Sequence, residues 1–143
     1  MDLRTNKNYD ELLHKISSIS HDKIISNIMV KEKTIEFKMY NDFELNNYSK
    51  HKLIIQSINN IIDSISIYTY TISNGSINGC LEFEDFLNDK LVFQIIDIGY
   101  LDYNILIKGS IIENNRLNRK NLIFKLDSAD ITDLSIVFDD EDN

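Results

Sequence analysis

Hydrophobic positions recur along this chain with two periods, and the change of period divides it into one helix and a long run of strands. From Tyr9 to Ile19, Leu12, Leu13, Ile16 and Ile19 fall at helical spacing, with Asn8 available as N-cap and Asp10 and Glu11 in the first turn. That pattern gathers apolar side chains on one face and puts negative charge where the helix dipole favours it. Ser20-His21-Asp22 breaks the helix, and the period then changes to two.

Ile35, Phe37 and Met39 alternate with Glu36 and Lys38, as a half-buried strand requires, and Lys31-Glu32-Lys33 turns back to the run Ile24 to Val30. Lys52 to Ile58 and Ile65 to Ile72 read as two further strands, although Gln56 to Ile67 could instead hold a helical turn around Asn59-Asn60-Ile61-Ile62. Asn74-Gly75 and Asn78-Gly79 are expected turns, because both residue types accept positive φ. Leu81 and Phe83 suggest a short strand, followed by a loop or single helical turn from Glu84 to Asp89.

Leu91 to Ile98 and Tyr103 to Ile112 flank Gly99-Tyr100-Leu101-Asp102 as a second hairpin. A basic loop, Asn114 to Lys120, then leads to Leu122-Phe124-Leu126, and Leu134, Ile136 and Phe138 close the series. The expected fold is mostly β (α+β): an N-terminal amphipathic helix, then an antiparallel β-sandwich or strongly curved sheet of about eight strands. Residues 1–138 read as a single globular domain, and 139–143 as an acidic disordered tail.

Composition narrows the functional classes. A chain of 143 residues buries enough surface to fold without disulfides or metal, and the lone Cys80 points to a reducing, cytoplasmic setting. Neither a leader's apolar stretch nor a bilayer-spanning run is evident, so no membrane association is expected. Heavy use of Ile, Asn, Lys and Asp fits an AT-rich genome, so abundant Ile reports the genome as well as the fold. The formal charge of −8 repels phosphate backbones and attracts cations, which disfavours nucleic acid as a partner.

Candidate chemistry is sparse. His14, His21 and His51 lack metal-ligand spacing, and Cys80 has no companion His nearby, so no metal, cofactor or catalytic residue is assigned. His21-Asp22 could orient an imidazole, but a structural junction, with Ser20 or Asp22 satisfying backbone donors and His21 packed at the sheet edge, is the preferred reading. Glu82, Glu84 and Asp85, with Asp97 and Asp102, suit a surface that meets a basic partner, and Tyr100 and Tyr103 are aromatic anchors of the kind found at interface centres. Tyr68 and Tyr70 share a strand face and are expected to pack on the sheet.

Ser20-His21-Asp22-Lys23-Ile24-Ile25, after a short helix, resembles the opening of a group of small bacterial immunity proteins with a His-Asp-x-x-Ile segment before an antiparallel sheet. Leu122-Ile123-Phe124 with Ser128-Ala129-Asp130-Ile131 is similar to that group's closing strands, while Lys23 stands where a small residue is expected. The resemblance implies a cytoplasmic, non-enzymatic antidote that binds a cognate polymorphic toxin, often a nuclease or other basic enzyme, and occludes its active site or substrate groove; a monomer or weak homodimer is expected. The alternative is a small structural or assembly subunit acting through strand-edge or oligomeric pairing. An enzyme centred on His21 and Asp22 is a third possibility, and it requires a deep pocket at that pair.

Overall fold

In the computed structural model, which describes residues 9–42, 45–71, 77–81, 86, 92–113 and 116–138, the change of period in the sequence becomes a change of element. Helix α1 spans Tyr9–Ser20, with Leu13 and Ile16 buried on one face and Glu11, His14 and Lys15 turned away from it. Asp22 then takes a positive φ of 65°, a conformation that aspartate tolerates better than most residues, and turns the chain into the sheet.

Among the described residues nine strands follow: β1 (Ile24–Lys31), β2 (Thr34–Tyr40), β3 (Tyr48–Ser57), β4 (Ile65–Thr71), β5 (Ile77–Leu81), β6 (Val92–Leu101), β7 (Asn104–Glu113), β8 (Arg116–Asp127) and β9 (Ile131–Phe138). All pairings are antiparallel, in the order β5-β4-β8-β7-β6-β1-β2-β3-β9, so β5 and β9 are edges and the sheet stays open. The alternation read in β2 is realised without exception: Ile35, Phe37 and Met39 are buried, and the residues between them are half-exposed.

The sheet curls strongly. Phe37 on β2 and Phe124 on β8 are four strands apart in the order, a separation of roughly 19 Å in a flat sheet, yet their ring centroids lie 5.8 Å apart, edge to face. The two wings therefore close on each other around an aromatic centre, in which Phe124 also meets Phe86 at 5.1 Å and Phe93 at 5.4 Å. The pairing at the seam is short: among the described residues β1 meets β6 at Ile24↔Gln94 and Ile25↔Phe93, and just beyond, between Ile25 and Ile28, the register of β1 with β2 shifts. Bulges of this kind increase local twist and let one strand leave its neighbour. Helix α1 packs beside this seam on β6, where Ser17 Oγ donates to Asp97 Oδ1 at 3.1 Å and accepts from the Ile98 amide at 3.3 Å.

Several sequence expectations are corrected. Asn78-Gly79 lies inside β5 rather than in a turn, and the reason is steric: a Cβ on Gly79 would collide with the Thr69 side chain of β4. Arg116 to Lys120 belong to β8, because Glu113↔Arg116 closes the β7–β8 hairpin and leaves only two residues between the strands. Gly99 to Leu101 likewise belong to β6, so the hairpin loop shrinks to Asp102 and Tyr103. The open choice over residues 56–67 resolves into both forms: β3 ends at Ser57, a 3₁₀ turn spans Ile61–Ser64, and β4 begins at Ile65. Asn60 Oδ1 starts that turn by accepting from the Ile62 amide at 3.3 Å. The Asn8 cap, the Asn74-Gly75 turn, Phe83 and its neighbours, and the tail 139–143 lie outside the described residues.

Candidate functional site

Three connections meet at one end of the curled sheet. The β6–β7 hairpin turns through Asp102 and Tyr103, both at positive φ, 52° and 66°, between the closing pair Leu101 and Asn104. Two positive-φ residues match the right-handed twist of a hairpin, and Asn-Gly is the usual pair because other side chains resist that backbone. Here a tyrosine accepts it. Its carbonyl is held from the β8–β9 turn, where fully buried Ser128 donates to it from both its amide (2.9 Å) and its Oγ (2.8 Å).

The β8–β9 turn is itself an Asx turn. Asp127 Oδ1 accepts from the Ala129 amide at 3.0 Å, and the Asp130 amide donates to the Asp127 carbonyl at 3.0 Å. The Asp130 carbonyl then accepts from the Ile58 amide at 2.8 Å, which ties in the crossover between β3 and β4. The third connection, the 3₁₀ turn, is anchored by the Ile61 amide donating to the Glu32 carbonyl at 2.9 Å, with Ile61 fully buried below.

Between these connections runs an open groove of about 270 Å³, lined by Asp63, Ser64, Ser66, Asn104, Lys125, Asp127 and Asp130. Three carboxylates face one ammonium, so the groove carries net negative charge. Leu101 and Tyr103 stand 60% and 65% exposed at the hairpin tip, and Ile58 and Ile62 are exposed on the crossover beside Asp63. Tyr100, half-buried against the core, braces Tyr103 edge to face at 6.5 Å. The arrangement can receive a cationic side chain in the groove and offers apolar contact around it.

The residues singled out from sequence divide into three groups. Tyr100, Asp102 and Tyr103 do converge at the hairpin tip. Asp97 does not join them: it lies mid-strand, accepts from Ser17 and stands opposite Lys108, so its place is at the helix–sheet contact. Glu82, Glu84 and Asp85 lie outside the described residues. Asp63, Asp127 and Asp130 were missed because each sits in or beside a connection whose neighbours in space are far away in sequence. The local signals available were the Asn60-initiated turn and the Asp127-Ser128-Ala129-Asp130 turn sequence.

His21 Nδ1 and Asp22 Oδ2 are 3.1 Å apart, but the side chains are 58% and 68% exposed, not packed at the sheet edge as the sequence suggested. The junction is instead fixed through the backbone: the Asp22 amide donates to the Ile95 carbonyl, the Ile95 amide to the Lys23 carbonyl, and Gln94 Nε2 to the Asp22 carbonyl at 3.1 Å. Ser20 contributes its carbonyl to the Lys23 amide, while its own buried hydroxyl has no partner among the described residues, and the bridging hydroxyl is that of Ser17. His51 on β3 sets its ring edge-on to Phe138 at 5.8 Å. Among the described residues no group of three or more His, Cys, Asp or Glu is placed to hold a metal ion, and no helix is long and apolar enough to cross a membrane. No family model, no curated protein and no solved structure matches this chain.

Proposed function

We propose that this protein is an immunity-type inhibitor that binds a cognate, cationic toxin domain through the acidic, tyrosine-tipped end of its curled sheet and performs no chemistry of its own. One observation carries the reading: Tyr103, in a backbone conformation that tyrosine resists, is clamped by Ser128 beside a groove bearing Asp63, Asp127 and Asp130. Strained backbone clusters at binding and catalytic sites, which supports a use for the exposed Tyr103 side chain. Exposed tyrosine is a frequent interface anchor, and surrounding carboxylates speed the encounter with a positively charged surface. A standard interface covers about 800 Å² of each partner, roughly a tenth of the 8253 Å² accessible on this protein.

The test is biological. The product of the neighbouring open reading frame, or its C-terminal domain, is expressed in a host cell with and without this protein. Growth arrest that this protein relieves, and that its Tyr103→Ala variant relieves less well, supports the reading. A harmless neighbour, or arrest that the protein leaves unchanged, refutes it.

One observation favours a second reading, that of an assembly subunit: among the described residues β9 has β3 as its only strand neighbour, which leaves a strand edge open. Size-exclusion chromatography with light scattering separates the two, because an assembly subunit elutes as a stable homo-oligomer.

A further inference from the structure

We infer that the edge of β9, open among the described residues, is a second docking surface, distinct from the groove, which takes up an extended partner segment flanked by lysine or arginine as a tenth strand. This inference does not depend on the partner being a toxin.

The two edges of the sheet are built differently. β5 is five residues long, contains a glycine and pairs with β4 through a register shift, features that blunt an edge. β9 is eight residues long, and its register with β3 is unbroken from Asp133↔Gln56 to Phe138↔His51. Within β9 there is a single charge, Asp133, and proline is absent from the whole chain. From Asp133 onward, past the register shift with β3 that lies between Ile131 and Asp133, this weakly charged strand presents a regular row of backbone donors and acceptors to an incoming chain.

The side chains point the same way. On the core-facing row of β9, Leu134 is buried, Ile136 is half-buried and Phe138 is 63% exposed, so the core layer opens progressively along this edge. A further strand would cover Ile136 and Phe138.

Charge decides the occupant. From Leu126 to Asn143 the sequence has no Lys, Arg or His but carries Asp127, Asp130, Asp133 and the four acids at 139–142. Antiparallel pairing of two copies would set the acids before one strand against those after the other, and like charges in apposition are destabilising. A segment with cations at its two ends is opposite in charge to the acids that precede and follow β9 in the sequence.

The test uses the full chain, labelled with 15N, and two synthetic peptides with the same alternating Val-Thr centre, one with two lysines at each end and the other with two glutamates. The lysine peptide is expected to shift β9 amides, to slow hydrogen exchange at the β9 amides that point away from β3, and to bind more weakly as salt rises. The glutamate peptide should bind at least about tenfold more weakly, and Asp133→Lys should weaken the lysine peptide. Shifts centred on Asp63 and Asp130 instead of β9 would overturn the inference while leaving the groove reading intact. So would equal binding of the two peptides, binding by neither, or a dimer in solution whose outward β9 amides are already protected.

Discussion

Replacing Tyr103 by glycine separates a turn built for stability from one built for presentation. At φ 66° the tyrosine backbone is in the left-handed region, where an ordinary residue is disfavoured by about 1–2 kcal/mol. Glycine removes that strain but costs about 0.5–1 kcal/mol in backbone entropy. The edge-to-face contact with Tyr100 is also lost, and with Tyr103 65% exposed it is worth the low end of such contacts, about 0.5 kcal/mol. Both Ser128 bonds survive, because they end on the backbone carbonyl of residue 103. The expected net effect lies between a loss of about 0.5 and a gain of about 1 kcal/mol, a shift in urea midpoint of at most about 0.5 M for a domain of this size. Urea unfolding followed by circular dichroism measures it without any partner. Affinity for the partner, by contrast, should fall by about 2 kcal/mol, roughly thirtyfold, if Tyr103 is a central anchor. A stability loss above about 1.5 kcal/mol would refute the reasoning, since the tyrosine would then be holding the fold together.

Other outcomes follow from the packing. Gly109→Ala would place a methyl 2.5 Å from Phe93 Cδ2 and 3.1 Å from the Gln94 carbonyl; with Phe93 wedged against Phe124 and Phe86, destabilisation of about 1–3 kcal/mol is expected in thermal or urea melts. Phe124→Ala should cost about 3–5 kcal/mol, because it empties the contact between the two wings; a loss under about 1 kcal/mol would mean that the wings do not close on it. Ser17→Ala should cost about 0.5–1.5 kcal/mol and speed hydrogen exchange at the Ile98 amide. Asp97→Asn, which keeps an acceptor for Ser17, should leave stability within about 0.5 kcal/mol of the parent.

How much of this was legible in the sequence depended on whether the signal was local. The helix and the alternation of Ile35, Phe37 and Met39 were plain, since a strand with one buried face must alternate and nothing else in that stretch competes. Tyr100, Asp102 and Tyr103 were found together because a hairpin keeps sequence neighbours close. Asn78-Gly79 misled: turn chemistry describes what a dipeptide tolerates, and the close approach of Thr69 across the β4–β5 pair used the glycine for a different purpose. Arg116 to Lys120 misled similarly, polarity standing in for loop where the β7–β8 register extends the strand. The groove was invisible for a topological reason. Asp63 reaches it from the crossover between the wings, and Asp127 and Asp130 from the β8–β9 turn, and only the curl of the sheet brings these connections to one end.

The central claim is that the negative, tyrosine-tipped end of the sheet meets a cationic protein. The most direct measurement is the association rate with the cognate partner at low and high salt, for the parent chain and for Asp63→Asn, Asp127→Asn and Asp130→Asn combined. In that variant the amide oxygen introduced at position 127 can still accept from the Ala129 amide, so the turn is kept while the charge is removed. The account expects the parent rate to fall steeply as salt is raised, and the variant to associate at least about tenfold more slowly at low salt with a much flatter salt dependence. Equal rates for the two chains, or a parent rate indifferent to salt, would contradict it.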